Sequence, residues 1–276
     1  MKGRTAVFYV VLSLLVFALF FGGMLMAGKK EKPEEGSGQA KVELPGEPEN
    51  GTSVSDNDAA KEEQGEKEGE DLRGLYPRIV VLDPACGGDR KGLWARWEDA
   101  GVQKEITEKE IVLDVALRAE KILQEKEVYT VLTRRDDTDV PEDDRVASAN
   151  DIPADLFVGL HLDSQQDSAI YGISASYNED FYMPEYDSGT FAYDMVSSIS
   201  QKANEKALGI ESKEESTTLR KIMVPGTDIS LGCISNMQEV RLLSREDYRQ
   251  RLAEGIAEGV MTAFTKMEES RNGKDE

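Results

Sequence analysis

Ile79-Val80-Val81-Leu82-Asp83-Pro84-Ala85-Cys86-Gly87-Gly88 is the stretch on which the reading of this chain turns. An apolar run makes a buried strand, and the Asp-Pro and Gly-Gly that follow it force a sharp turn. In α/β sheets ligands gather just past the carboxyl ends of strands, so chemistry is expected at this turn. Two later fragments, Thr107-Glu108-Lys109-Glu110 and Gly159-Leu160-His161-Leu162-Asp163, supply a carboxylate and the chain's lone imidazole. Thiol, carboxylate and imidazole are all zinc ligands, which makes Cys86, Glu108 and His161 a candidate zinc site.

Around that stretch, helical and strand patterns alternate. Thr107 and Glu110 have capping-box spacing, and Ile111, Val115, Ala119 and Ile122 fall on one face of the helix they open. Tyr129 to Thr133 reads as a short strand, and Pro141 as the first turn of a helix through Arg145 to Asn150. Leu156 to Leu160 is an apolar strand ending at His161, and Ile173 to Tyr177 alternates as another. Phe191, Met195 and Ile199 mark a helix, Thr227 to Leu231 a last strand, and Ser244 opens a helix with Tyr248, Leu252, Ile256, Val260 and Phe264 on one face. Strand-helix alternation predicts a single three-layer α/β domain over residues 76–267, with a mixed, mostly parallel sheet and no internal repeat. Residues 268–276 form a charged tail.

Ahead of the domain, Lys2 and Arg4 precede an apolar run from Ala6 to Ala27, and its 22 residues at about 1.5 Å each can cross a bilayer core of roughly 30 Å. A transmembrane anchor over residues 1–27 is expected; the alternative, a cleaved signal peptide, has Leu25 at a position where a small residue is usual. Lys29, Lys30 and Lys32 balance the amino-terminal charges, so charge bias leaves the orientation open. Residues 28–75 hold 14 acidic and 7 basic residues among Gly, Pro, Ser and Asn, which predicts a disordered acidic linker and spacer.

With 276 residues and 39% hydrophobic content, the chain can build one domain with a real core plus appendages. A net charge of −21 argues against binding nucleic acid, whose affinity rests on neutralising phosphates. The two cysteines, Cys86 and Cys233, are too few for a disulfide scaffold, though one bridge is compatible with a place outside the cytoplasm.

These residues resemble a known family. Asp83-Pro84-Ala85-Cys86-Gly87-Gly88 is similar to the Asp-Pro-Gly-His-Gly-Gly motif of type-3, zinc-dependent N-acetylmuramoyl-L-alanine amidases, which cut peptidoglycan between the glycan lactyl group and the stem peptide. Glu108-Lys109-Glu110-Ile111-Val112-Leu113 resembles the family's Glu-Lys segment, whose Glu binds zinc. Thr133-Arg134 and Asp144-Arg145-Val146 through Ala149-Asn150 resemble its Thr-Arg and Arg-to-Ala-Asn stretches. Ala154 to His161 is similar to the strand ending in Ser-Ile-His, whose His is a ligand, and Leu231-Gly232-Cys233-Ile234-Ser235-Asn236 to Leu-Gly-Phe-Leu-Ser-Asn. The resemblance, from Ile79 to Phe264, implies a wall amidase fold, peptidoglycan as partner, zinc as cofactor on Cys86, Glu108 and His161, and a single-pass membrane protein whose domain faces the wall.

The departures bear on activity. Cys86 replaces the family's first histidine ligand, Ser230 its general-base glutamate, and Asp163 the Asn after the second His. Gly226, Thr227 and Asp228 interrupt a strand that is otherwise apolar. A thiolate in place of an imidazole cancels the net positive charge of a two-His, one-Glu centre, so the ion acidifies its water less. A positioned acid/base contributes roughly 10²–10⁴-fold, and serine cannot serve as one at neutral pH. Asp228 lies two residues from Ser230, about 6.8 Å along a strand, too far to stand in without distortion. Hydrolysis is therefore expected to be weak or lost, with a catalytically silent peptidoglycan-binding or regulatory module as the alternative.

Other readings of single residues stay open. Glu108 suits a helix's first turn in any case. Cys86 is a zinc ligand, a disulfide partner of Cys233, an inert small side chain, or a nucleophile with His161 as base. Arg134 and Arg145 are expected to pair with nearby carboxylates, and Trp94 and Trp97 to line a groove or cover the core.

Overall fold

The computed structural model describes residues 72–180 and 186–273, so the expected anchor and nearly all of the linker lie outside the described residues. Among the described residues no helix is long and apolar enough to cross a membrane. Leu72, in a helical turn over 72–75, already packs against the domain, and Arg73 pairs with Asp155 at 3.0 Å.

The elements are β1 (Ile79–Pro84), β2 (Trp94–Asp99), β3 (Val102–Thr107), α1 (Glu108–Gln124), β4 (Tyr129–Leu132), α2 (Glu142–Asn150), β5 (Leu156–Asp163), β6 (Ile173–Tyr177), α3 (Ser188–Ala203), β7 (Ala207–Ser212), α4 (Thr217–Lys221), β8 (Gly226–Cys233), α5 (Met237–Leu243) and α6 (Glu246–Asn272). Six strands form one sheet in the order β4-β1-β5-β8-β6-β7. The first four run parallel, β6 pairs antiparallel with β8, and β7 parallel with β6. The α/β class and the mixed, mostly parallel sheet are as the alternation predicts.

Two unequal helix layers cover the sheet. Val80 and Leu82 of β1, with Leu156, Val158, Leu160 and Leu162 of β5, join α1, α3 and α6 in the main core. The opposite face, carrying Ile79, Val81 and Phe157, packs against α2 and α4 in a smaller cluster with Ala149, Leu219 and Ile222. Side chains alternate across a strand, so Asp83, Gly159 and His161 continue this second face beyond the point where its short helices stop. That shortage of helix cover leaves polar groups reachable at the carboxyl end of the sheet.

Several elements escape the sequence pattern, the five-residue helix α4 among them. The β2–β3 hairpin has mostly exposed, charged strands, so burial leaves little alternation in it. Its turn residues Ala100 and Gly101 both have positive φ, which matches the right-handed strand twist. β7 is an exposed edge strand, and α5 begins at Asn236, whose side chain accepts from the N–H groups of Gln238 and Glu239. The last helix consequently starts at Glu246 rather than Ser244. At α1, Thr107 does hold the cap position, but its hydroxyl donates to Glu110 at 2.7 Å instead of accepting a backbone bond.

Candidate functional site

The turn after β1 is shaped by one arginine. Arg134, 4% exposed, donates to the carbonyls of Pro84 (2.8 Å), Ala85 (2.9 Å), Lys109 (2.8 Å) and Asp136 (2.8 Å). It thereby joins the turn that bears Cys86 to the helix turn that bears Glu108. The expected carboxylate partner is thus replaced by backbone carbonyls, because the turn exposes oxygens that no strand can satisfy. Arg145 does pair with a carboxylate, Asp83, at 3.1 Å, while Thr133 donates to the other oxygen of Asp83 at 2.6 Å.

Cys86 adopts a left-handed backbone (φ +65°), a conformation that costs a non-glycine residue about 1–2 kcal/mol. Its sulfur lies beside the Glu108 side chain with Gly92 between them: a Cβ on Gly92 would approach the sulfur to 2.7 Å and collide with the carboxylate. Glu108 is itself buried. Its Oε2 accepts from Leu93 N–H at 2.8 Å, and its Oε1 from Leu162 N–H at 3.2 Å while facing His161 Nδ1 at 3.5 Å. Burial opposes ionisation of Glu108, but His161 and those two amides outweigh it and hold the carboxyl below its usual range.

His161 sits between two acids. Its Nε2 faces Asp228 Oδ1 at 3.8 Å, opposite the Glu108 contact. Burial disfavours the charged ring, yet Asp228 and Glu108 together push it up to about 10. Cys86 is raised as well, by burial and then by Glu108, against the pull of Arg90, Arg134 and Arg145. A raised thiol, and an imidazole already facing two carboxylates, speak against Cys86 as a nucleophile. Cys86 and Cys233 are both free thiols, so the disulfide alternative has no counterpart here.

Ser230 stands opposite His161 in the β5–β8 ladder, and its Oγ is buried without a hydrogen-bond partner. Asp163 is turned to its own loop, accepting from Ser164 N–H at 2.7 Å and from the Gln165 side chain. His161, Asp163, Asp228 and Ser230 line a cleft of about 330 Å³ together with Ser174, Glu211 and Lys213. Trp97 is buried in the main core, whereas Trp94 is exposed on the hairpin under Arg96.

Among the described residues no three His, Cys, Asp or Glu side chains already converge as a metal-holding group. Only two of the three expected ligands stand at the spacing one zinc ion requires. Ligands about 2.0–2.2 Å from one tetrahedral ion stand about 3.4 Å apart, and Glu108 Oε1 and His161 Nδ1 are 3.5 Å apart. Cys86, near Glu108 around Gly92, does not join that pair in a common metal-holding group. Gly92 and the Asp228 contact with His161 were not singled out from the sequence, although an isolated glycine inside a strand, Gly159, is a signal of close approach.

The sequence model of the N-acetylmuramoyl-L-alanine amidase family matches residues 80–262. The chain belongs to this family. Among relatives of the amidase domain, it is 27% identical over 209 residues to the germination-specific N-acetylmuramoyl-L-alanine amidase of Bacillus subtilis (strain 168), covering 69% of this chain and 81% of that one. It is 26% identical over 191 residues to the probable cell wall amidase LytH of Staphylococcus epidermidis, covering 69% of this chain and 60% of the relative. The catalytic domain of the amidase CwlV from Bacillus (Paenibacillus) polymyxa var. colistinus superposes with a TM-score of 0.59 at 28% identity, over 68% of this chain and 98% of that one. The family is in general zinc-dependent, and its amidase fold is the one described above.

Proposed function

We propose that this chain is an envelope protein, anchored by residues 6–27, whose amidase-family domain faces the wall, binds peptidoglycan and hydrolyses its lactyl-peptide amide weakly or not at all. The observation that carries this reading is the state of the general-base position. Ser230 presents a buried hydroxyl with no partner, Asp163 is tied to its own loop, and Asp228 faces His161 Nε2. Glu211, the other acid lining the cleft, pairs with Lys213 at 3.0 Å, so among the described residues none of the cleft acids occupies the general-base position that would take a proton from the attacking water and return it to the leaving amine.

Zinc would be held by Glu108 and His161, with the Cys86 turn having to shift to bring in the third expected ligand, and would supply Lewis-acid polarisation of the scissile carbonyl. The chain's own residues do the rest. Glu108, fixed by the Leu93 and Leu162 amides, keeps its charge in the buried corner, Arg134 keeps the Cys86 turn against it, and the cleft walls orient the substrate. With thiolate and carboxylate together the centre is formally neutral, which lowers its electrophilicity.

The test is release of new peptide amino termini from purified cell walls by the full-length zinc-loaded chain and by the double variant Cys86→His, Ser230→Glu. The variant is expected to exceed the natural chain by at least about 10²-fold, the lower bound for a restored acid/base. Vigorous release by the natural chain, at or above the rate of an active double variant, would overturn the weak-hydrolysis reading, and an inert double variant that still binds walls would favour the catalytically silent module.

A further inference from the structure

The cleft runs along the sheet toward β7. On its β1 side the loop after β4 lies over the Cys86 turn: Gly88 N–H donates to the carbonyl and to the side chain of Asp137, and a Cβ on Gly87 would strike the Thr138 carbonyl. From His161 and Ser230 the floor continues instead through β8 and β6 to the edge strand β7. Ser230 stands opposite Ser174, and Asp228 opposite Ser176, which on its other side stands opposite Glu211. Glu211 and Lys213 are two residues apart and so share a face, with Lys213 Nζ 3.0 Å from Glu211 Oε1. Lys213 is the one ammonium among the described residues that line the cleft, in the company of the acids Asp163, Asp228 and Glu211.

We infer that Glu211 and Lys213 form a subsite for the third residue of the stem peptide, where they select a diamino acid whose side chain ends in both an ammonium and a carboxylate. The inference rests on the proposed reading that the domain binds peptidoglycan. Two strand spacings of about 4.8 Å and one two-residue step of about 6.8 Å put Glu211 about 12 Å from Ser230 along the floor. An extended peptide covers about 10 Å in three residues, and the third side chain spans the remainder. Charge decides the selectivity. Glu211 and Lys213 neutralise each other, and a side chain bearing both charges exchanges that pair for two matching ones, Glu211 with the ammonium and Lys213 with the carboxylate. A side chain bearing an ammonium alone takes Glu211 but leaves Lys213 without a counter-charge, so it is held less tightly.

The test is calorimetric titration of the full-length chain with two acetylated tripeptides of L-alanine, γ-D-glutamate and, third, either meso-diaminopimelate or L-lysine amidated at its α-carboxyl. An exposed ion pair is worth up to about fivefold in affinity, so the natural chain should bind the diaminopimelyl peptide about fivefold more tightly at low salt. Salt of about 1 M, with a Debye length of about 3 Å, should erase the difference. Lys213→Gln should bring the two affinities within about twofold, and Lys213→Glu should make the lysyl peptide the tighter ligand, whereas a merely structural lysine would weaken both alike. Affinities within about twofold in the natural chain, or a preference that survives Lys213→Gln, would overturn the inference. If neither tripeptide binds to a chain that still binds purified walls, the subsite fails while the wall reading stands. A chain that binds no walls overturns both.

Discussion

Replacing Arg134 by lysine tests whether the candidate site is held together by one guanidinium. Arg134 spans four carbonyls on the turn after β1, the first turn of α1 and the stretch after β4, and those of Pro84 and Ala85 lie at buried ends of their bonds. Lysine offers three donors on one nitrogen and cannot reach sites that a planar fork bridges. Two buried carbonyls left unpaired cost about 1–3 kcal/mol each, so Arg134→Lys should destabilise the domain by about 4 kcal/mol, a large share of the 5–15 kcal/mol typical of a domain. For a domain of this size that is a fall in Tm of about 10 °C. The assay is thermal unfolding of the full-length chain by calorimetry, with Arg96→Lys as the control. Arg96 is exposed and pairs with Glu105 on the hairpin, so its replacement should change stability by less than about 0.5 kcal/mol. A Tm for Arg134→Lys within about 3 °C of the natural chain would refute the reasoning.

Three further outcomes follow from the same geometry. Gly92→Ala puts a methyl against the Glu108 carboxylate and the Cys86 sulfur at a φ of +69°, and should cost at least about 2 kcal/mol in urea unfolding as well as weaken zinc binding; an unchanged midpoint would contradict it. Glu239, 1% exposed, is pushed up to about 7 by burial, against the lowering effect of the Cys233 and Gly172 amides. Since its folded value lies above the unfolded one, its contribution to stability declines as pH rises from about 4.5 to 7, by roughly 3 kcal/mol, and Glu239→Gln should remove that part of the slope between pH 5 and 8. Breaking the Arg145–Asp83 pair with Arg145→Met leaves Asp83, 1% exposed, with only the Thr133 hydroxyl, and should destabilise by about 3 kcal/mol, measured in the same unfolding titrations.

Periodicity alone determined much of this protein. The run Ile79–Leu82, the stripe Tyr248, Leu252, Ile256, Val260 and Phe264, and the trio Phe191, Met195 and Ile199 are all buried as their spacing requires, because an element that packs one face on a core must repeat apolar residues at its own period. The resemblance of the Asp83–Gly88 turn, the Glu108 segment and the His161 strand likewise led to the family without coordinates. Elements whose stability comes from neighbours rather than pattern were illegible: the charged β2–β3 hairpin, the exposed edge strand β7, and α5 with its Asn236 cap.

Only the tertiary structure decided what surrounds the imidazole. Along the chain, Asp228 and Gly159 are two unfavourable strand residues far apart, and arithmetic on one strand places Asp228 too far from Ser230 to replace a glutamate. Pairing β8 beside β5 sets Asp228 across from a residue without a side chain, and the carboxylate crosses that gap to His161. Sequence fixes which groups exist and on which face of a strand they stand, whereas contacts across a sheet depend on register and on what a neighbouring strand leaves empty, and those are properties of the assembled layers.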